Sequence, residues 1–185
     1  MPSAVELLIL QHPLEVANAK GSARLLHLCL PGSVLVAGEA FEPAALHALL
    51  HGGGRTPLLL YPGEPAAPAF DPAISAISAT SATPSALRLV VLDGTWRKSR
   101  KMLHLNPQLA SLPRLALHDM PASHYRIRKA HAPYQLSTLE AAAYALRRLG
   151  GGEASCASLL SAFDGFVAQQ AGYPASATRP GSSVD

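Results

Sequence analysis

Asp93 stands where its neighbours allow a side chain to do chemistry. It ends the run Arg88-Leu89-Val90-Val91-Leu92, an apolar stretch of the kind that makes a buried strand, and Gly94, Thr95 and Trp96 follow it. Gly94 lets the chain turn, Thr95 can accept a hydrogen bond from the first free amides of a helix, and Trp96 onward reads as that helix. At about 100° per residue, Trp96, Ser99 and Leu103 share the side that packs on a sheet, while Arg97, Arg100, Lys101 and His104 gather on an adjacent arc. An acid thus sits beneath a cationic face, in the crevice where open α/β sheets bind ligands. The plainer reading of the same residues is that a strand-ending Asp caps a helix and that a basic face is only solvated.

Other chemically capable residues are weaker signals. His47 and His51 are four apart on a helix and could fill two metal positions, but no third ligand lies near in sequence, which favours a surface or packing role. Gly52-Gly53-Gly54-Arg55-Thr56 lacks the lysine and spacing of a phosphate loop and reads as a helix exit. His12 could orient a substrate or hydrogen-bond its own loop. Ser123 to Lys129 places Arg126, Arg128 and Lys129 beside Tyr125, a mixture suited to phosphate contact and base stacking, and equally to a solvated loop. No GxGxxG follows a strand and no GxSxG is present, so dinucleotide-binding and hydrolase readings are weak.

The elements that must position these residues alternate. Strands are expected at Val5 to Leu10, Val34 to Ala37, Pro57 to Tyr61, Arg88 to Asp93 and Pro113 to His118, with proline stopping the first at His12 and the third at Tyr61. Helices are expected from Ala17 to Leu30, from Pro43 to His51 with proline in its permissive first turn, from Trp96 onward, and from about Cys156 to Ala171. Ser137-Thr138-Leu139-Glu140 is a capping box ahead of a helix whose buried stripe is Leu139, Ala142, Leu146 and Leu149, closed by Gly150. The Ala-, Ser- and Pro-rich stretch from Ala66 to Ala86 reads as a connection with one short helix. The pattern is α/β, a mainly parallel sheet of about five or six strands flanked by helices.

Composition sets the frame. With 49% hydrophobic and 15% charged residues in 185, the chain is one globular domain over 1–173, followed by a tail over 174–185 expected to be disordered. Between Asp93 and Arg148 there are ten Lys and Arg against three acids, and five against nine elsewhere, an asymmetry that suggests a polyanion-binding face. Cys29 and Cys156 have no CxxC spacing and read as reduced, mostly buried thiols. No stretch of 18 or more apolar residues exists and the start lacks a basic signal, so no membrane association and a cytoplasmic location are expected.

Five ordered segments together resemble the DTW-domain family. They are Leu10-Gln11-His12-Pro13-Leu14-Glu15, Leu60-Tyr61-Pro62-Gly63-Glu64, Asp93-Gly94-Thr95-Trp96 with Arg97 to Met102, Tyr125-Arg126-Ile127-Arg128-Lys129 and Leu136-Ser137-Thr138-Leu139-Glu140-Ala141. Members of that family are tRNA-uridine aminocarboxypropyltransferases. The resemblance implies transfer of the 3-amino-3-carboxypropyl group of S-adenosylmethionine to N3 of a tRNA uridine, leaving 5′-methylthioadenosine. It also implies a SPOUT-like fold with a C-terminal trefoil knot. The attack needs no metal, only a nucleophile freed of its proton and held in line, and Asp93 is the candidate general base. Tyr61, Pro62, Thr95, Trp96, Ser137, Thr138 and Glu140 are then the expected cofactor-binding residues. Arg97, Arg100, Lys101, Arg126, Arg128 and Lys129 are the expected RNA-binding ones. Many members carry an N-terminal cysteine cluster that looks zinc-binding; this chain begins at Met1 just ahead of the first strand, and no metal is expected. The rival readings are a SPOUT-type RNA methyltransferase, an aminocarboxypropyltransferase directed at ribosomal RNA, and a non-catalytic RNA-binding module.

Overall fold

Runs such as Leu7-Leu8-Ile9-Leu10 and Leu89-Val90-Val91 are apolar at every position, which suits strands covered on both faces. In the computed structural model, which describes residues 4–18, 21–62, 84–118, 120–123, 136–151 and 153–172, they form the centre of a five-stranded sheet. The strands are β1 (Glu6–Gln11), β2 (Val34–Ala37), β3 (Thr56–Leu60), β4 (Leu87–Asp93) and β5 (Arg114–Leu115). Their order is β2-β1-β4-β3-β5 and every pairing is parallel.

Alternate side chains of the strands feed two cores. Leu7, Ile9, Leu58, Leu89 and Val91 join α1 (Ser22–Cys29), α5 (Thr138–Leu146) and α6 (Glu153–Gly172) through Leu26, Ala142 and Phe163. Leu8, Leu10, Leu59 and Val90 join α2 (Pro43–His51), α3 (Trp96–Leu105) and α4 (Pro107–Ala110) through Leu46, Leu50, Met102 and Leu109. The result is three layers, helices on both faces of a parallel sheet, as the alternation of elements predicts. Helix α5 is buried on nearly every side, because the small side chains of Ala142, Ala143 and Ala145 leave room for the sheet and α6 to close on it.

Several boundaries differ from expectation for local reasons. Residues 17 and 18 are not helical: Pro13–Glu15 forms a single 3₁₀ turn, and α1 starts only after Gly21, which serves as its N-cap. The last strand shrinks to Arg114–Leu115, paired with Leu59 and Leu60 at the sheet edge. Helix α6 is longer than expected and begins at Glu153. Most of the Ala-, Ser- and Pro-rich connection, and the tail over 174–185, lie outside the described residues, with only Pro84–Ala86 seen as a 3₁₀ turn. Cys156 is buried and Cys29 half-buried, and neither is in a disulfide. Among the described residues no helix is long and apolar enough to cross a membrane.

The connection leaving β1 runs through α1 to β2 on one side, and the connection leaving β4 runs through α3 and α4 to β5 on the other. Adjacent strands β1 and β4 therefore form the topological switch point. The chain leaves these two strands toward opposite faces of the sheet, the arrangement that in open α/β sheets opens a crevice at the carboxyl ends of the strands.

Candidate active site at the carboxyl edge of the sheet

Register places Gln11, the last residue of β1, directly beside Asp93, the last residue of β4, at the switch point. Both are buried, at 5% and 7% exposure. Gln11 Nε2 donates to Asp93 Oδ2 at 2.9 Å, and Thr138 Oγ1, from the first turn of α5, donates to Asp93 Oδ1 at 2.7 Å. The amide of His12 donates to the Asp93 carbonyl at 2.9 Å, extending the ladder one rung past the strands. The carboxylate is thus not tied to backbone amides, and among the described residues no lysine or arginine pairs with it. It lies between the amino ends of α3 and α5, whose dipoles direct partial positive charge toward it.

Thr95 caps α3 as its sequence predicts, accepting from the Lys98 amide at 3.4 Å. Gly94 lies close to its neighbours at the turn: a β-carbon there would sit 3.2 Å from Lys98 Cβ, a tight contact, and 3.5 Å from that of His12, an ordinary one. Trp96 does not pack on the sheet with Ser99 and Leu103. As the first residue of α3 it overhangs the sheet's edge at 49% exposure, and Met102 takes the buried place beside Ser99 and Leu103. Its indole meets Tyr61 edge-on at 5.6 Å between ring centres, and the Arg114 guanidinium lies 5.4 Å over the same Tyr61 ring while donating to the Pro62 carbonyl at 3.4 Å. Tyr61, Pro62 and Trp96 are brought together at one rim of the crevice.

Ser137 and Glu140 form the expected capping box: the Glu140 amide donates to Ser137 Oγ at 3.2 Å and the Ser137 amide to Glu140 Oε2 at 2.7 Å. Ser123 Oγ donates to the same Glu140 oxygen at 2.7 Å, joining residues 120–123 to the start of α5. Both side chains are buried and bind the helix end, and within this turn it is Thr138 that reaches the carboxylate.

The cationic face divides by partner. Lys98 Nζ binds Glu15 at 2.7 Å and Lys101 Nζ binds Glu39 at 2.8 Å, whereas among the described residues Arg97 and Arg100 are exposed and have no acidic partner. Glu39 also accepts from His12 Nε2 at 2.8 Å, and His12 Nδ1 accepts from the Leu14 amide at 3.2 Å, which makes the ring the tautomer protonated on Nε2. The Lys101 ammonium first, and His12 second, hold the Glu39 carboxyl below the usual carboxylate range. His12 is therefore a tie between the loops after β1 and β2. Asn106 fastens the second of these loops to the end of α3, donating to the Glu39 carbonyl and accepting from the Phe41 amide, each at 2.9 Å.

Arg126, Arg128 and Lys129 lie outside the described residues. His47 and His51 lie with ring centres 4.6 Å apart and ring planes tilted by 34°, and both line a cavity of about 380 Å³ at the amino end of β3, the opposite edge from Asp93. Among the described residues no group of three or more His, Cys, Asp and Glu could hold a metal. Gln11 and Glu39 belong to the site although neither is among the expected site residues; Gln11 lies within a segment that carries the family resemblance, and Glu39 lies in none. Gln11 does carry the signal that marks Asp93, a polar residue closing an aliphatic strand; Glu39 carries none.

Residues 1–171 match the family model of the DTW domain. A curated protein of Drosophila melanogaster named tRNA-uridine aminocarboxypropyltransferase 2 is 35% identical over 151 residues, which cover 78% of this chain and 57% of that protein. The chain therefore spans little more than half the length of this relative. No solved structure matches.

Proposed function

The chain belongs to the DTW-domain family, and on that basis we propose that it moves the 3-amino-3-carboxypropyl group of S-adenosylmethionine to N3 of a uridine in tRNA. The observation that carries this reading is the position of Asp93: a carboxylate at the switch point of a parallel sheet, held by two neutral donors and, among the described residues, paired with no cation. The Drosophila relative's name supplies the reaction class, the tRNA substrate and, through the enzyme class, the donor.

When bound, S-adenosylmethionine supplies a sulfonium, whose leaving group makes the adjoining side-chain carbon open to attack without a metal. The residues at the crevice suit it. The exposed Trp96 indole with Tyr61 and Pro62 provides an apolar, aromatic rim for the adenosyl portion, and the amino ends of α3 and α5, at Thr95 and around Ser137 and Thr138, face the anionic end of the amino acid portion. Asp93 takes the imide proton from uridine N3, so that the nitrogen lone pair can form the new bond to carbon while the carbon–sulfur pair departs on sulfur. Arg97 and Arg100 meet RNA phosphates, with Arg126, Arg128 and Lys129 as further contacts, and Lys101 contributes less because Glu39 already holds it. Glu140 acts through the turn that it caps.

The remaining parts of the reading are a SPOUT-like chain path with a C-terminal trefoil knot, a single catalytic domain and a cytoplasmic location. The all-parallel sheet supports the sheet of the first, and the knot rests on the family resemblance alone. Mass analysis of nucleosides from tRNA incubated with the protein and S-adenosylmethionine tests the proposal. The aminocarboxypropyl adduct on uridine is the expected product. A methyl adduct supports the methyltransferase reading, modified ribosomal RNA alone moves the substrate, and no adduct with either RNA leaves only a binding module.

A further inference from the structure

Gln11 closes β1 with a polar side chain where the strand's other buried positions are aliphatic, and its side-chain amide reaches Asp93 Oδ2 at 2.9 Å. Thr138 comes from α5 and reaches Oδ1 at 2.7 Å. One donor on each oxygen fixes the plane of the carboxylate, since rotation about the bond to its β-carbon would break both hydrogen bonds at once. A carboxylate offers about four lone-pair directions, so among the described residues each oxygen keeps one free. Both donors are neutral. An arginine or lysine in either place would orient the group equally well and would compete for the negative charge that a base must spend on a proton. The two lysines of α3, Lys98 and Lys101, are held by Glu15 and Glu39.

We propose that Gln11 and Thr138 are positioning residues, a two-armed clamp that aims the free lone pairs of Asp93 at the nucleophile's proton. The inference rests on the proposed transfer reaction and adds to it which residues set the geometry of its base. The clamp joins three elements, β1, β4 and α5, so the carboxylate is aimed only when the sheet and the start of α5 are assembled together.

The experiment measures transfer to tRNA by Thr138→Val, Thr138→Ser and Gln11→Met, with S-adenosylmethionine affinity by calorimetry and melting temperature recorded on each intact protein. Valine keeps the branched shape and loses the hydroxyl; serine restores the hydroxyl; methionine keeps the length of glutamine and loses its donor. The expected result is a fall in kcat of about 10- to 100-fold for Thr138→Val and Gln11→Met, with donor affinity and KM for tRNA unchanged, and recovery of most of kcat in Thr138→Ser. Thr138→Ser that is as slow as Thr138→Val overturns the clamp, as does any pattern in which affinity falls in step with kcat. Should Thr138→Val fail to fold, Gln11→Met decides the matter: a kcat lower by about 10- to 100-fold at unchanged donor affinity supports the clamp, and full kcat or affinity falling in step with kcat overturns it. If the parent protein transfers the group and needs Asp93 while Gln11→Met and Thr138→Val keep full kcat, the clamp fails and the reaction stands. A parent protein that forms no adduct overturns both.

Discussion

Thr138 Oγ1 lies 2.7 Å from Asp93 Oδ1, so the first residue of one helix holds the last residue of a strand that precedes it by 45 positions. Asp93 is consequently a shared anchor of the sheet and of α5 as well as the candidate base. Its replacement has to be judged on activity and stability together. Asp93→Ala is expected to lower transfer by a factor on the order of 10²–10⁴, the usual span for losing a general acid or base. Asp93→Asn keeps the shape and should melt closer to the parent than Asp93→Ala does. Initial rates with thermal melts on both variants check this, and a fully active Asp93→Ala would remove Asp93 from the chemistry.

Arg97 and Arg100 differ from Lys101 in having no acidic partner among the described residues. Arg97→Ala and Arg100→Ala should each weaken tRNA binding uniformly across tRNAs and reduce the slope of log affinity against log salt by about 0.7–0.9 for each phosphate left unneutralised. Lys101→Ala should change that slope less, because its ammonium is already committed to Glu39. Filter binding across a salt series would show it, and equal slope changes for all three would contradict the division.

Glu39 links pH to stability in a definite direction. Its carboxyl is held below the ordinary value of 4.5 by the Lys101 ammonium and by His12, so its stabilising contribution is present above that value and is lost as pH falls through the lower folded value. Glu39→Gln should therefore melt below the parent at neutral pH, with the gap closing in acid. The gap should be modest and should narrow with salt, because the pair is open to solvent, with the Lys101 side chain 59% and the Glu39 side chain 28% exposed. A gap that widened on acidification would reverse the sign and refute the assignment.

Ser137→Ala removes the side-chain half of the capping box while leaving Thr138 in place. The expected cost is about 1 kcal/mol of stability, within the usual range of roughly 0.5–2 for removal of an N-cap. Denaturant unfolding measures it. Donor affinity should be unchanged; a large loss of S-adenosylmethionine binding with little loss of stability would mean that Ser137 contacts the donor directly.

Burial pushes the Cys156 thiol up from its ordinary value, and Cys156 is packed in the α1, α5 and α6 core, whereas Cys29 is only half-buried. Thiol titration of the native protein should label Cys29 first and Cys156 only on the timescale of opening of the fold. Mass mapping of the labelled sites after short exposure is the check, and early labelling of Cys156 would contradict its burial.

By itself the sequence determined what depends on neighbours along the chain. The unbroken aliphatic runs make strands that must be covered on both faces, Thr95 and Ser137 with Glu140 cap their helices, and Asp93 ends a buried strand at a glycine turn, all within a few residues of contact. Only the tertiary structure decided what Asp93 touches. Gln11 is 82 residues away and Thr138 45, and they meet the carboxylate because β4 inserts beside β1 and α5 docks over the same sheet edge. The same holds for the cations: helical periodicity puts Arg97, Arg100 and Lys101 on neighbouring arcs, but that Lys101 is the one of the three held by an acid depends on Glu39, brought up by the loop after β2. Trp96 shows the limit of periodicity in one residue. Its angle around α3 is set locally, and its exposure is set by where the sheet ends beneath that helix.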